Sequence, residues 1–101
     1  MKILIVDDER SIRNSLKEIL VDEGYDVDVA ENGVQGCDMV DKEKYSVIFC
    51  DIKMPEMDGM EFLDKINAMG VDAAVVMISG HGVIQTAVEC IKKGAFDFIQ
   101  K

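Results

Sequence analysis

The strongest constraint on the fold is a repeated alternation between short apolar runs and longer segments with helical spacing. The first run, Ile3 to Val6, is continuous and rich in β-branched residues, which is typical of a strand covered on both faces. Apolar residues then recur every three or four positions from Ile12 to Leu20, and Gly24 ends that pattern. A strand followed by a helix and a further strand predicts parallel strands joined by crossover helices.

The same alternation continues along the sequence. We expect further strands at 26–30, 46–50, 73–78 and 96–100, and further helices near 34–42, 60–69 and 83–93. The segment 26–30 alternates polar and apolar residues, which indicates a strand near the edge of the sheet. Gly70 and Gly94 are expected to end the last two helices. The sequence therefore predicts one α/β domain spanning residues 1–101.

The charge balance limits which classes of molecule the chain can bind. Twenty acidic residues against 11 basic ones give a formal net charge of −9, which repels phosphate backbones, so we expect no nucleic-acid binding through this chain. A cation or a basic protein surface suits such a field. No apolar run approaches the roughly 20 residues of a membrane span, and Asp7 and Asp8 cut the N-terminal apolar run short of a signal peptide. We expect a cytoplasmic protein without a membrane partner.

The three cysteines, Cys37, Cys50 and Cys90, do not form a CxxC pair, and the chain has one histidine. This pattern argues against a zinc site or a disulfide framework. We expect each cysteine to behave as a small apolar residue in a reducing compartment.

Polar side chains follow four of the predicted strands. Asp7 and Asp8 follow the first strand, Asp51 the third, Ser79 the fourth and Lys101 the fifth. Each has a simple local explanation, such as a helix cap at Asp8 or an Asx turn at Asp51. Because the carboxyl ends of parallel strands share one edge of the sheet, where ligands bind, the set together indicates a site.

The chemistry of such a site is specific. Three carboxylates held close together repel one another unless a cation lies among them. Oxygen ligands without imidazole or thiolate favour Mg²⁺, with Mn²⁺ as the second candidate. A lysine opposite pairs with the central carboxylate or with a phosphoryl group placed on it, and a hydroxyl bonds a phosphoryl oxygen. The set suits phosphoryl transfer onto an aspartate.

Three segments resemble the receiver domains of two-component response regulators: 5–9 (Ile-Val-Asp-Asp-Glu), 51–59 with its Met-Pro-x-Met-Asp-Gly motif, and 93–101. The resemblance covers residues 1–101, and the segments 79–82 and 94–98 are most similar to NtrC-type regulators. It implies a doubly wound, five-stranded parallel sheet of strand order 2-1-3-4-5, the flavodoxin-like or CheY-like fold.

The resemblance also implies roles for the residues near the metal. Asp51 corresponds to the phosphoacceptor and to a metal ligand. Asp8 corresponds to a direct Mg²⁺ ligand, Asp7 to a ligand through water, and Lys53 to a residue whose backbone carbonyl completes the protein's share of the coordination.

Three more positions correspond to the family's switch machinery. Lys101 matches the active-site lysine, Ser79 the switch hydroxyl and Phe98 the aromatic switch residue. Phosphorylation is expected to shift a pre-existing equilibrium and so alter the face formed by the fourth helix and fifth strand. Implied partners are a sensor histidine kinase, a C-terminal output domain that regulates transcription, and a second copy bound through that face or by element swapping. Such a domain catalyses only its own phosphorylation and dephosphorylation and is not otherwise an enzyme.

Family members continue past the lysine into a fifth helix, which this sequence lacks. We therefore expect uncovered apolar surface near strands four and five, with lower stability and a tendency to dimerise.

Three alternatives remain at this point. A metal-dependent phosphatase or phosphotransferase working through an aspartyl phosphate usually needs an acid two residues after the nucleophile, where this chain has Lys53. A flavodoxin-like cofactor binder needs a phosphate loop after strand one, where the acidic segment 7–9 would repel phosphate. An interaction module that is never phosphorylated would not need the acidic set. We interpret His81 as a turn residue and not as a catalytic base.

Overall fold

The computed structural model describes residues 1–80 and 84–100, without the side chains of 84–87. Within those residues, five strands alternate with four helices: β1 (Lys2–Val6), α1 (Arg10–Asp22), β2 (Asp26–Ala30), α2 (Gly33–Lys42), β3 (Val47–Asp51), α3 (Gly59–Ala68), β4 (Ala74–Ser79), α4 (Ile84–Lys92) and β5 (Asp97–Gln100). The expected order of elements is confirmed, with ends that differ by one or two residues.

The strands form one sheet in the order β2-β1-β3-β4-β5, and every neighbouring pair is parallel. The doubly wound order implied by the resemblance is confirmed, and β2 lies at an edge as its alternating pattern predicted. The central strands β1 and β3 lie side by side with Val6 opposite Cys50. The residue after β1 and the last residue of β3 therefore meet at the same edge of the sheet.

Successive residues of a strand point to opposite faces of the sheet, so each central strand feeds two hydrophobic clusters. Leu4 and Val6 belong to the larger cluster, which they share with Phe62 and Leu63 of α3. Ile3 and Ile5 belong to the smaller cluster, against which residues of α1 pack only partly buried. One face of the sheet is therefore better covered than the other.

An apolar groove of about 230 Å³ runs between α1 and the strands β4 and β5. Its lining comprises Ile12, Ser15, Leu16, Ile19, Ile78, Ile99 and Gln100. Ile19 is 59% exposed and Ile99 is 43% exposed, although isoleucine side chains are usually buried. The expected uncovered apolar surface near the fourth and fifth strands is confirmed.

Helix ends follow the local signals in the sequence. The Asn32 side chain accepts a hydrogen bond from the Gln35 N–H at 2.8 Å and so caps α2. The Asp58 side chain accepts one from the Glu61 N–H at 2.9 Å and caps α3. Gly94 follows α4 with φ +110°, a conformation that favours glycine, and confirms the expected helix end.

The three cysteines, all within the described residues, are free thiols. Cys50 and Cys90 are fully buried and Cys37 is half-buried. Burial raises the pKa of each thiol, most strongly that of Cys50. The expected role as small core residues is confirmed for Cys50 and Cys90.

Across the described residues, none of the helices has the length and apolar character that crossing a bilayer demands.

Candidate functional site

Four carboxylates converge at the carboxyl edge of the sheet. Asp7, Asp8 and Glu9 follow β1, and Asp51 ends β3. One carboxylate oxygen from each lies within 4.8 Å of those from the other three. Asp7 is fully buried and Asp51 is 3% exposed, whereas Asp8 and Glu9 are exposed. The structure thus brings together the three predicted carboxylates and adds Glu9, a ligand candidate that the sequence pattern did not predict.

The donor set fits a hard divalent cation. All four candidate ligands are carboxylates, and no histidine or cysteine joins this group among the described residues. Such a concentration of negative charge favours Mg²⁺ or Mn²⁺, which would relieve the mutual repulsion. The backbone carbonyl of Lys53 remains a predicted ligand. The Lys53 side chain is exposed, two residues beyond Asp51.

Hydrogen bonds from the main chain hold the loop after β1. The Asp7 N–H donates to the Ala30 carbonyl at 3.2 Å, at the end of the neighbouring strand β2. The Asp7 Oδ1 atom accepts from the Glu9 N–H at 2.8 Å. Glu9 is the N-cap of α1, and no side-chain hydrogen bond caps that helix. The simpler explanation of Asp8 as a helix cap is therefore wrong.

Arg13 is the buried residue of α1, a helix that lies wholly within the described residues. Its Nη1 group donates to the Asp7 carbonyl oxygen at 2.7 Å. Its Nη2 group lies 3.9 Å from Oε1 of Glu31, a 70% exposed side chain in the turn after β2. The sequence does not predict this contact, because helical periodicity identifies only the apolar residues of α1 as facing inward.

The segment 52–58 joins Asp51 to α3. Met54 and Met57 are each 9% exposed, and both belong to the larger hydrophobic cluster. Glu56 has φ +67°, a left-handed conformation that is uncommon for a residue with a side chain. Gly59 closes the segment, and its N–H donates to the Ile52 carbonyl at 2.7 Å.

The switch positions are partly described. Ser79 is 1% exposed, and its hydroxyl donates to the Ile99 carbonyl of β5 at 3.5 Å. Ser79 lies one residue beyond Ile78, the register partner of Asp51, so it shares the edge of the sheet with the carboxylates. Phe98 is half-buried and packs against the larger hydrophobic cluster. Lys101 and His81 lie outside the described residues.

Comparison with known families agrees with this arrangement. Residues 3–101 match the model of the response regulator receiver domain. The chain belongs to this family. Membership of this family explains both the fold and the acidic cluster at the carboxyl edge of the sheet. The resemblance found in the three sequence segments is confirmed.

The relatives of this receiver domain include regulators of two sizes. An NtrX-like response regulator of Rickettsia bellii is 44% identical over 101 residues, which cover 98% of this chain and 21% of the relative. The chemotaxis protein CheY of Listeria monocytogenes is 43% identical over 102 residues, which cover 100% of this chain and 86% of the relative. The chain thus spans about a fifth of the NtrX-like protein.

The solved receiver domain of NtrX from Brucella abortus is also similar. It superposes with a TM-score of 0.93 at 40% identity, covering 98% of this chain and 84% of that chain. This receiver domain therefore has the same fold as the receiver domain of an NtrX regulator.

Proposed function

We propose that this receiver domain accepts a phosphoryl group on Asp51 from a sensor histidine kinase in a Mg²⁺-dependent reaction. The observation that carries the proposal is the gathering of Asp7, Asp8, Glu9 and Asp51 within 4.8 Å, with Asp51 almost fully buried at the end of β3. Carboxylates this close together repel one another, and a divalent cation bound among them would relieve that repulsion. A metal ion with open coordination positions can also bind phosphoryl oxygens.

In the proposed reaction, a carboxylate oxygen of Asp51 attacks the phosphorus of a phosphohistidine or an acyl phosphate. A new P–O bond forms as the bond from phosphorus to the imidazole nitrogen or carboxylate oxygen breaks, and the leaving group keeps the electron pair. Bound Mg²⁺ would neutralise charge on the phosphoryl oxygens. Asp8 and the Lys53 carbonyl are the proposed direct ligands besides Asp51, and Asp7 the proposed ligand through water.

The phosphoryl group on Asp51 is then proposed to recruit two further groups. Lys101 would pair with a phosphoryl oxygen, and Ser79 would turn its hydroxyl from the Ile99 carbonyl toward another. Because the Ser79 bond to β5 is long, at 3.5 Å, little is lost when it breaks. Phe98, half-buried on the same strand, would turn inward and alter the face of α4 and β5.

The proposed partners follow from the same family. A sensor histidine kinase would supply the phosphoryl group, and an output domain C-terminal to this chain that regulates transcription would respond to it. A second copy is proposed to dock on the face of α4 and β5. The phosphatase alternative gains no support from the site, because the position two residues after Asp51 is occupied by Lys53.

Intact-mass spectrometry after incubation with acetyl phosphate tests the proposal. We expect a labile gain of one phosphoryl group with Mg²⁺ and no gain with a chelator. Asp51→Asn should abolish the gain, whereas Asp41→Asn, a change at an exposed position of α2, should leave it intact. A folded wild-type protein that gains nothing, or an Asp51→Asn variant that is still modified, would contradict the proposal.

A further inference from the structure

The burial of Arg13 requires an explanation. It is only 8% exposed, although α1 leaves apolar residues such as Ile19 far more open to solvent. Withdrawing a guanidinium from water is unfavourable unless its donors and its charge find partners. The position therefore indicates that the contacts of Arg13, and not the hydrophobic effect, hold this side chain in place.

The principal contact is with the main chain of the acidic loop. Arg13 Nη1 donates to the Asp7 carbonyl oxygen at 2.7 Å, a short, charge-assisted hydrogen bond. The Asp7 N–H is bonded to Ala30 at 3.2 Å, so both polar groups of the Asp7 main chain are held. The weaker contact, 3.9 Å from Glu31, links the same guanidinium to the turn after β2.

Holding the Asp7 carbonyl has a consequence for the next residue. The carbonyl of Asp7 and the N–H of Asp8 belong to one planar peptide unit. A guanidinium that fixes the direction of that carbonyl therefore fixes the plane from which the Asp8 main chain departs. Because Asp8 is exposed, burial in the core does not orient it, and the fixed peptide plane is a restraint on where its main chain leads.

We propose that Arg13 is a positioning residue that holds the Asp7–Asp8 peptide so that the carboxylates of the acidic cluster face one divalent cation before it binds. This role rests on the proposed Mg²⁺ site of this receiver domain. Arg13 itself does not touch the cation or the phosphoryl group. Its contribution is preorganisation of ligands through a fixed main chain.

The charge of Arg13 and its positioning role have opposite effects on Mg²⁺ affinity, which makes the proposal testable. A positive group beside the cluster repels an incoming cation, so charge alone predicts tighter Mg²⁺ binding by Arg13→Met. Positioning predicts weaker binding by both Arg13→Met and Arg13→Lys, roughly tenfold as for other residues that support metal ligands. Lysine retains the charge but not the planar fork that reaches two acceptors.

The experiment measures the Mg²⁺ dissociation constant of the unphosphorylated protein by isothermal titration calorimetry. Arg10→Lys is the matched control, because Arg10 is exposed on the same helix and the change keeps its charge, and it should bind Mg²⁺ as the wild type does. Glu31→Gln leaves the Asp7 contact and should change the constant by less than about twofold. Arg13 variants that bind like the wild type, or an Arg13→Met variant that binds more tightly, would overturn the proposal.

A second measurement separates this proposal from the phosphorylation proposal. Amide hydrogen exchange in metal-free protein should be faster at the Glu9 N–H, which bonds to Asp7 Oδ1, in Arg13→Lys than in Arg10→Lys. If wild-type protein does not bind Mg²⁺, the proposed function fails while the exchange comparison still decides the role of Arg13. Unchanged exchange at Glu9 in Arg13→Lys would overturn that role even where Mg²⁺ binds.

Discussion

The main chain of Gly59 passes so close to Asp51 that a side-chain carbon built on Gly59 would lie 2.5 Å from the Asp51 carbonyl oxygen. The same carbon would lie 2.7 Å from the Cα atom of Ile52. Both obstacles are backbone atoms of the strand end that carries the candidate phosphoacceptor. The start of α3 is therefore seated directly on that strand end, and only glycine permits the approach.

Gly59→Ala should lower the free energy of unfolding by about 1–3 kcal/mol, because overpacked backbone must move to admit the methyl group. Urea unfolding followed by circular dichroism measures the change. Gly80→Ala is the control, since a Cβ at Gly80 meets no atom within 4 Å among the described residues. Equal stability of the two variants would contradict the close approach.

Glu56→Gly should raise the free energy of unfolding by up to about 1 kcal/mol. The left-handed conformation at φ +67° is unfavourable for a residue with a Cβ, and the entropy of glycine in the unfolded chain offsets part of the gain. Glu56→Ala keeps the Cβ and removes the carboxylate together with Cγ, so it should not stabilise the protein. A stabilising Glu56→Ala would mean that charge, and not backbone conformation, governs this position.

Asn67→Ala should destabilise the protein by about 1 kcal/mol, because the Asn67 amide donates to the Lys93 carbonyl at 2.8 Å, just beyond the end of α4. Asp64→Asn removes the neighbouring ion pair with Lys93 and should cost less, since both side chains are about half exposed. Chemical unfolding at low and high salt distinguishes the two, as only the effect of Asp64→Asn should fade with salt. A larger loss for Asp64→Asn would reverse this ranking.

Tyr45 should make stability fall at alkaline pH. Burial and the hydrogen bond that its hydroxyl donates to Asp28 at 2.8 Å raise the pKa of Tyr45 above its ordinary value of about 10. The folded state therefore holds the Tyr45 proton more tightly than the unfolded state does. The contribution of Tyr45 to the free energy of unfolding is fully present below about pH 10 and declines as the pH rises above that value. The stability difference between wild type and Tyr45→Phe should shrink above about pH 10. The exposed residue Tyr25, changed to Phe, supplies the control.

Mg²⁺ should raise the free energy of unfolding of the unphosphorylated protein, by about 2.7 kcal/mol when its concentration reaches a hundred times the dissociation constant. Thermal unfolding with increasing Mg²⁺ and with a chelator measures the effect. Asp8→Asn should remove most of it, and Asp41→Asn should leave it unchanged. Stabilisation that persists in Asp8→Asn would exclude Asp8 as a ligand.

Alternation of hydrophobic periods was sufficient to predict the elements and, with the resemblance, the order of the strands. The convergence of Asp7, Asp8 and Asp51 also followed from sequence, because parallel strands bring their carboxyl ends to one edge. These features depend on the local pattern and on topology. Both can be read from the order of residues along the chain.

Contacts between side chain and backbone could not be predicted in this way. The contact of Arg13 with the Asp7 carbonyl depends on where the chain turns between β1 and α1, and the helical pattern carries no information on that turn. The close approach of Gly59 to Asp51 depends on how α3 seats against β3. The membership of Glu9 in the acidic cluster also depends on the turn between β1 and α1, because Glu9 is the N-cap of α1 and not a residue of the strand.

The position of β1 has a consequence for the order in which the molecule assembles. β1 is synthesised before the other four strands of this sheet, yet it lies between β2 and β3 in the finished sheet. Pairing β1 with β2 requires only a short loop closure and leaves Asp51 far from the loop after β1. Asp51 meets the other carboxylates only when β3 docks on β1, so repulsion within the cluster opposes that step of folding.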